Sequence, residues 1–270
     1  MKFWILLKES ARYIARSRLL FLLMIFSLFL HYVGLSVVQQ MTVSVQGLMS
    51  SLGPREGMFV SLFLSLFVGV FLSVIYGIWM VPYFHQGDRS QLTYVLPVSK
   101  WSFVCVYAVT LLFLILIEFG FMFCSLAMVF GSEALLHPKF SWNALFSCLV
   151  IEVLAVEFLL FFFATLSLGL GQISTLFVGG LAFIFLQVCG TAFRFGFDQY
   201  ARESGGKLFV FYELYRVAPP LGDLIFNLKQ TFSTGDFPSF HAVLWVVWFG
   251  ISVLFFRRAI RYPRRNQATE

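Results

Sequence analysis

The stretch WSFVCVYAVTLLFLILIEFGFMFCSLAMVF, residues 101–130, carries one charged side chain, Glu118, in an otherwise apolar or uncharged run. As an α-helix it would be about 45 Å long, which exceeds the roughly 30 Å of hydrocarbon in a bilayer, so it must tilt or project. Similar runs recur along the 270 residues, of which 60% are apolar and 12% charged. Because the polar/apolar alternation of a membrane barrel is missing, the sequence predicts an all-α polytopic membrane protein rather than a soluble domain.

Six apolar runs are long enough to cross a membrane, and together they form a single transmembrane domain. The predicted spans cover residues 19–38, 58–81, 101–130, 142–168, 172–190 and 241–256. We expect Pro82 to end the second span, because proline has no N–H for the helix ladder. The short uncharged segment 169–172 predicts a tight hairpin between the fourth and fifth spans.

The amino-terminal segment 2–18 is predicted to be an amphipathic helix at the membrane interface. Three cations follow one another at four-residue spacing: Lys8, Arg12 and Arg16. The apolar residues recur on the opposite helical face: Phe3, Leu7, Ala11 and Ile14. We expect the cations to lie near anionic lipid and the apolar face to dip into the bilayer.

The segment 191–240 is the longest polar stretch, and five cations balance five acids within it. Apolar residues at helical spacing predict two short amphipathic helices joined at Pro219-Pro220, resting on the bilayer surface or between the spans. Any extracytoplasmic protein partner is expected to dock on these helices. The predicted docking residues are Tyr212, Tyr215, Pro219, Pro220 and Leu224.

The distribution of the 19 Lys and Arg residues predicts the orientation. Five lie in the amino-terminal tail, two in the loop 84–100 and five in the carboxyl tail, against two in the first and third turns together. Cytoplasmic loops are enriched in Lys and Arg. The count therefore predicts that both termini and the loop 84–100 are cytoplasmic and that the segment 191–240 is extracytoplasmic.

Several kinds of chemistry have no motif in this sequence. It lacks a G-x-x-x-x-G-K-[ST] phosphate loop, an H-E-x-x-H zinc helix and a G-x-S-x-G nucleophile elbow. We therefore expect no catalytic residue, metal site or cofactor in this chain, and we interpret the cation-rich ends as orientation signals rather than a nucleic-acid surface. The four cysteines lie in apolar runs without CxxC spacing and are interpreted as small core residues: Cys105, Cys124, Cys148 and Cys189.

Three glutamates fall inside predicted spans: Glu118, Glu152 and Glu157. No Lys or Arg lies in these spans to pair with them, and an intramembrane carboxylate indicates function by default. Two interpretations stay open. The glutamates are either protonated or hydrogen-bonded to Ser, Trp or Tyr of neighbouring helices, or they line a polar translocation path.

The loop HQGDRSQLTYVLPVSK, residues 85–100, resembles the corresponding loop of type-2 ABC transporter permeases. The resemblance includes the small single-domain members of that family that serve nitrous oxide reductase maturation and gliding motility. The family has an acidic residue after the second span, then a leucine, then a Leu-Pro-Val-Ser-Arg/Lys string, and here Asp88, Leu92 and residues 96–100 occupy those places. Ser90-Gln91 replaces the usual Gly-Thr.

The resemblance implies a permease subunit of the bacterial inner membrane, without a nucleotide site of its own. It would pair with a second copy or a homologous subunit and bind cytoplasmic ABC ATPase subunits that hold ATP and Mg²⁺. Its task would be export of an amphipathic or lipidic substrate, or mechanical action on a periplasmic protein. The implied ATPase-contact residues are Asp88, Arg89, Leu92, Tyr94, Leu96, Pro97 and Lys100.

Two other functional classes compete with the permease hypothesis. A proton- or ion-coupled carrier would use the intramembrane glutamates, although internal repeats and broken helices typical of such carriers are not evident. A purely structural membrane anchor would make the loop 84–100 irrelevant to any ATPase.

Overall fold

The computed structural model describes residues 2–44, 54–86, 99–136, 141–192, 206–234 and 239–260, and these contain helices and no strand. The helices are α1 (Lys2–Arg16), α2 (Arg18–Ser44), α3 (Pro54–Ile75), a π segment (Tyr76–Met80), α4 (Val81–Gln86), α5 (Lys100–Phe130), α6 (Glu133–Leu136), α7 (Trp142–Leu170), α8 (Gln172–Ala192), α9 (Gly206–Val217), α10 (Leu224–Thr234) and α11 (Ser239–Ala259). Six helical stretches in this part of the chain are long and apolar enough to span a membrane: Leu20–Gln40, Pro54–His85, Lys100–Phe130, Trp142–Leu170, Gln172–Cys189 and Ser239–Ala259. The prediction of an all-α polytopic membrane protein is confirmed at this level.

Helices α3, α5 and α7 form the centre of the bundle. Helix α7 packs against α3, α8, α10 and α11, whereas α5 packs against α1, α2 and α3. Helices α2 and α8 lie at the periphery and expose long rows of apolar side chains, among them Phe21, Phe26, Phe177 and Phe185. An apolar outer surface is expected where the surroundings are lipid rather than water.

The second span does not end at Pro82, contrary to the sequence prediction. The helix runs on to Gln86, and the π segment lies immediately before the proline. Val81 N–H donates to Tyr76 O, five residues earlier in the chain. The next hydrogen bond of this spacing would run from residue 82 to Gly77 O, but Pro82 has no N–H to donate. Instead the hydroxyl of Ser167, on α7, lies 3.0 Å from Gly77 O and shares its single proton between this carbonyl and Ala164 O of its own helix, also at 3.0 Å. A neighbouring side chain thus satisfies the carbonyl that the proline leaves free, which is how membrane helices tolerate proline.

The same segment is where α7 comes closest to the second span. A Cβ atom added at Gly77 would lie 2.9 Å from Leu160 O and 3.1 Å from Ala164 N. Both atoms belong to backbone and cannot rotate away. Glycine is therefore required at position 77 by the close approach of two helices.

The turn between the fourth and fifth spans is a single residue, in agreement with the predicted hairpin. Helix α7 ends at Leu170 and α8 begins at Gln172. The residue between them, Gly171, has φ +81° and ψ 169°, a backbone conformation open in practice only to glycine. The N–H of Gly171 donates to Ser167 O, and this hydrogen bond caps the carboxyl end of α7.

Helix α1 covers residues Lys2–Arg16 of the predicted segment 2–18, and Phe3, Leu7 and Ile14 of the predicted apolar face are half-buried against the core. Ala11, the fourth residue of that face, is exposed, whereas its neighbour Ser10 is buried. The Ser10 hydroxyl lies 2.9 Å from the Tyr76 hydroxyl and 3.1 Å from that of Thr110.

The interpretation of all four cysteines as core residues is wrong for two of them. Cys148 and Cys189 are buried, whereas Cys105 and Cys124 are exposed on the outside of α5. In a membrane bundle an apolar run faces lipid as well as the core, so an apolar setting in sequence does not distinguish the two.

We predict that Gly77→Ala destabilises the protein by about 1–3 kcal/mol, because the new methyl group meets backbone atoms of α7. Gly250→Ala is the matched control, since a Cβ at this glycine of α11 meets nothing within 4 Å. Reversible unfolding in a mixed detergent, followed by circular dichroism, measures both. Equal stability of the two variants would contradict the close approach.

Candidate functional site

The two helices that flank the segment 87–98 are joined to each other at that end of the bundle. His85, in the last turn of α4, has its Nε2 atom 3.2 Å from the Tyr107 hydroxyl of α5. Its ring also lies edge-on to Phe103, with ring centroids 4.9 Å apart. His85 thus links the end of the second span to the beginning of the third.

The segment 87–98 belongs to the loop 84–100, which the sequence predicts to contact an ATPase. Helix α5 begins directly after Ser99, whose hydroxyl accepts a hydrogen bond from Ser102 N at 3.2 Å and caps the helix. Lys100 is half-buried in the first turn. The other predicted contact residues lie outside the described residues: Asp88, Arg89, Leu92, Tyr94, Leu96 and Pro97.

Helix α1 and the end of α11 contact the helices that flank this loop. Ser10 of α1 bonds to Tyr76 and Thr110, and the guanidinium carbon of Arg257 lies 4.7 Å from the centre of the Trp101 ring. The described residues at the start of α5 and the end of α11 are therefore neighbours.

The cations of α1 lie on its outward side. Lys8, Arg12 and Arg16 are exposed, and Arg12 forms an ion pair with Glu9 one turn earlier. They are placed to meet lipid headgroups if this end of the bundle lies at a membrane surface.

Glu118 is fully enclosed within the bundle and joins α5 to α2. The hydroxyl of Ser27 donates to one carboxylate oxygen, and His31 Nε2 lies 2.8 Å from the other. The sequence prediction included serine as a partner but missed His31, since the four histidines lie far apart along the chain. The position of His31 could have indicated a buried polar partner, because it is a titratable residue in the middle of an apolar run.

Glu152 makes a second link of the same kind, between α7 and α3. The Ser65 hydroxyl donates to Glu152 Oε1 at 2.7 Å. Glu157, one and a half turns further along α7, is also buried. Within the described part of the chain, Oε2 of Glu152 and Oε2 of Glu157 have no hydrogen-bond partner. All three glutamates are thus buried within the helical bundle of this chain. Glu118 and Glu152 each accept a hydrogen bond from a serine of a neighbouring helix.

The residues predicted to dock an extracytoplasmic partner fall on α9, α10 and the turn that joins them. Tyr212, Pro220 and Leu224 are buried, and Pro219 and Tyr215 are half-buried, with the Tyr215 hydroxyl donating to Asp223 at 3.1 Å. These residues hold the two short helices against the spans. The side chains that this surface presents outward are instead Val210, Leu214, Val217, Ile225 and Phe226.

No group of three or more His, Cys, Asp or Glu side chains in the described ranges is arranged to hold a metal ion. Comparison of this chain with protein-family models, with curated proteins and with solved structures finds no match. The functional assignment therefore rests on the residues and their geometry.

We predict that Ser65→Ala destabilises the protein and that Ser61→Ala does not. Both hydroxyls are buried on α3 one turn apart, but Ser65 bonds to Glu152 whereas Ser61 Oγ has no partner among the described residues. Hydrogen bonds between membrane helices contribute about 0.6–2 kcal/mol, so the Ser65 variant should lose an amount in that range. A loss of the same size in Ser61→Ala would show that the hydroxyl bond to Glu152 contributes nothing specific.

Proposed function

We propose that the chain is the membrane-spanning permease subunit of an ABC transporter, driven by separate cytoplasmic ATPase subunits. The observation that carries the proposal is the loop 84–100 with its Leu-Pro-Val-Ser-Lys string, set between the second and third spans, which His85 links through Tyr107. A subunit without a phosphate loop must receive the work of ATP hydrolysis from a partner. A short loop with apolar anchors and a charged rim is the composition that such an interface needs.

Force on the loop has a continuous route into the membrane. Through His85 it reaches α4 and α5, and α4 continues through the π segment into α3 without a break. Tyr76 in the π segment is bonded to Ser10 of α1, so α1 moves with the same unit. Closure of the ATPases would then tilt the second and third spans as one body.

The proposal fixes the orientation and the placement of the short helices. Both termini and the loop lie in the cytoplasm of a bacterium, α1 lies in the interface of the inner membrane, and α9 and α10 cover the extracytoplasmic end. The charge count supports this orientation. The strongly amphipathic character of α1, with cations outward, supports its interfacial position.

Two copies, or one copy and a homologous subunit, would enclose the transport path. The peripheral helices α2 and α8 carry the exposed apolar surface that a partner in the membrane requires. Apolar cavities of about 380 and 440 Å³ flank α8 on its two sides. Their lining suits an amphipathic or lipidic substrate better than an ion. Mechanical action on a periplasmic protein through α9 and α10 uses the same motion of the spans.

We predict that affinity purification of the protein from its native membranes yields a co-eluting ATPase, and that Leu96→Asp reduces the co-eluting activity at least about tenfold. Loss of a central apolar anchor at an interface typically costs about 2 kcal/mol or more. The matched control is Leu214→Asp, the same substitution at an exposed position of α9, which should retain the ATPase. Equal loss in both variants, or no ATPase with the unmodified protein, would contradict the proposal.

A proton- or ion-coupled carrier is the second candidate, and the His31–Glu118 pair is the observation that favours it. Two titratable groups 2.8 Å apart in a buried site can exchange a proton. Uptake or release of substrate in liposomes that contain only this protein and a pH gradient would support the carrier. Transport that requires both the partner ATPase and ATP would exclude it.

A further inference from the structure

A polar cavity of about 350 Å³ lies between α1 and α4, at the end of the bundle that carries the loop. It lies beside a groove of about 200 Å³ that is lined partly by the π segment. Tyr13 and Ser17 line both, so the two adjoin each other. The polar cavity is lined by Glu9, Arg12, Tyr13, Arg16, Ser17, Tyr83 and Phe84.

The polar part is suited to a phosphate group. Arg12 and Arg16 bring two guanidinium groups to its rim, and Glu9 pairs with Arg12, which leaves a net positive charge. Arg16 has no acidic partner among the residues that the structure describes. Burial, reinforced by the neighbouring Tyr83, raises the pKa of Tyr13, so its phenol stays a neutral hydrogen-bond donor. Arginine forks and hydroxyl donors are the groups that recognise phosphate oxygens.

The adjoining groove is suited to a hydrocarbon chain. Its further lining consists of Leu20, Ile75, Tyr76, Trp79 and Met80. Trp79 is partly exposed near the end of the second span, and Trp and Tyr are enriched where membrane proteins meet the headgroup layer. The site therefore changes from cationic to mainly apolar over a short distance, as a phospholipid does between its headgroup and its acyl chains.

We propose that this combined site binds an anionic phospholipid, with its phosphate against Arg12, Arg16 and Tyr13 and the start of an acyl chain along the π segment. The positive charge of the polar cavity and the mainly apolar groove that adjoins it together select this occupant. A bound lipid would bridge α1 to the end of the second span, beside the bond between Ser10 and Tyr76. The inference concerns lipid dependence and stands whether the protein is a permease or a carrier.

The test compares two double variants of equal net charge in detergent-purified full-length protein. Arg12→Gln/Arg16→Gln removes the cations of the cavity, whereas Lys8→Gln/Arg18→Gln removes two exposed cations of the same region that do not line it. Phosphatidylglycerol is titrated against each protein, and the midpoint of thermal unfolding reports binding. Phosphatidylcholine with the same acyl chains and inorganic phosphate serve as the two further probes.

We expect phosphatidylglycerol to raise the unfolding midpoint of the unmodified protein and of the Lys8/Arg18 variant to a similar extent. The Arg12/Arg16 variant should need on the order of tenfold more of the lipid, since each basic residue near anionic lipid contributes substantially to binding. The single variant Arg16→Gln, which breaks no ion pair of α1, should show an intermediate loss and serves if the double variant does not fold. Equal loss in both double variants would show general charge attraction and overturn the proposal, and so would an equal response to phosphatidylcholine or to inorganic phosphate.

Discussion

Within hydrocarbon there is no water to satisfy a free backbone carbonyl, and leaving one unpaired costs several kcal/mol. Pro82 creates such a carbonyl at Gly77, and the hydroxyl of Ser167 pairs with it. The bond is possible because residue 77 has no side chain and lets α7 approach to backbone contact. This contact lies where the second span continues as helix past its proline, as far as Gln86.

The same constraint organises the polar groups deeper in the bundle. Glu118 is bonded from Ser27 and His31 of α2, and Glu152 is bonded from Ser65 of α3. Each carboxyl group therefore links two helices inside the apolar bundle. The amide of Gln39 adds a second polar contact between α2 and α5, because its Nε2 donates to Val129 O at 3.1 Å. His85 of α4 and Tyr107 of α5 make a further link, between the second and third spans.

The six long apolar helices among the described residues could be predicted from the sequence, because apolar length is a property of single segments. The course of the chain at Pro82 and the burial of Ser10 could not, because each involves a neighbour distant in sequence: Ser167 near the proline and Tyr76 beside Ser10. The outward position of Cys105 and Cys124 could not be predicted either, since an apolar run faces both lipid and core. For the site, the ATPase contact of the loop 84–100 stays a prediction from its residues, whereas the pairing of His31 with Glu118 required two helices to be placed side by side.

The central claim is that the loop 84–100 contacts an ATPase. A photo-crosslinking amino acid in place of Tyr94 tests it most directly. Introduced in the native host, this group reacts only with what lies beside the loop. The account predicts a crosslinked protein of the cytoplasm that carries a phosphate-loop motif and that is absent when the same amino acid replaces Val210 of α9. Crosslinks from position 94 to lipid alone, or to a protein without a nucleotide-binding site, would contradict it.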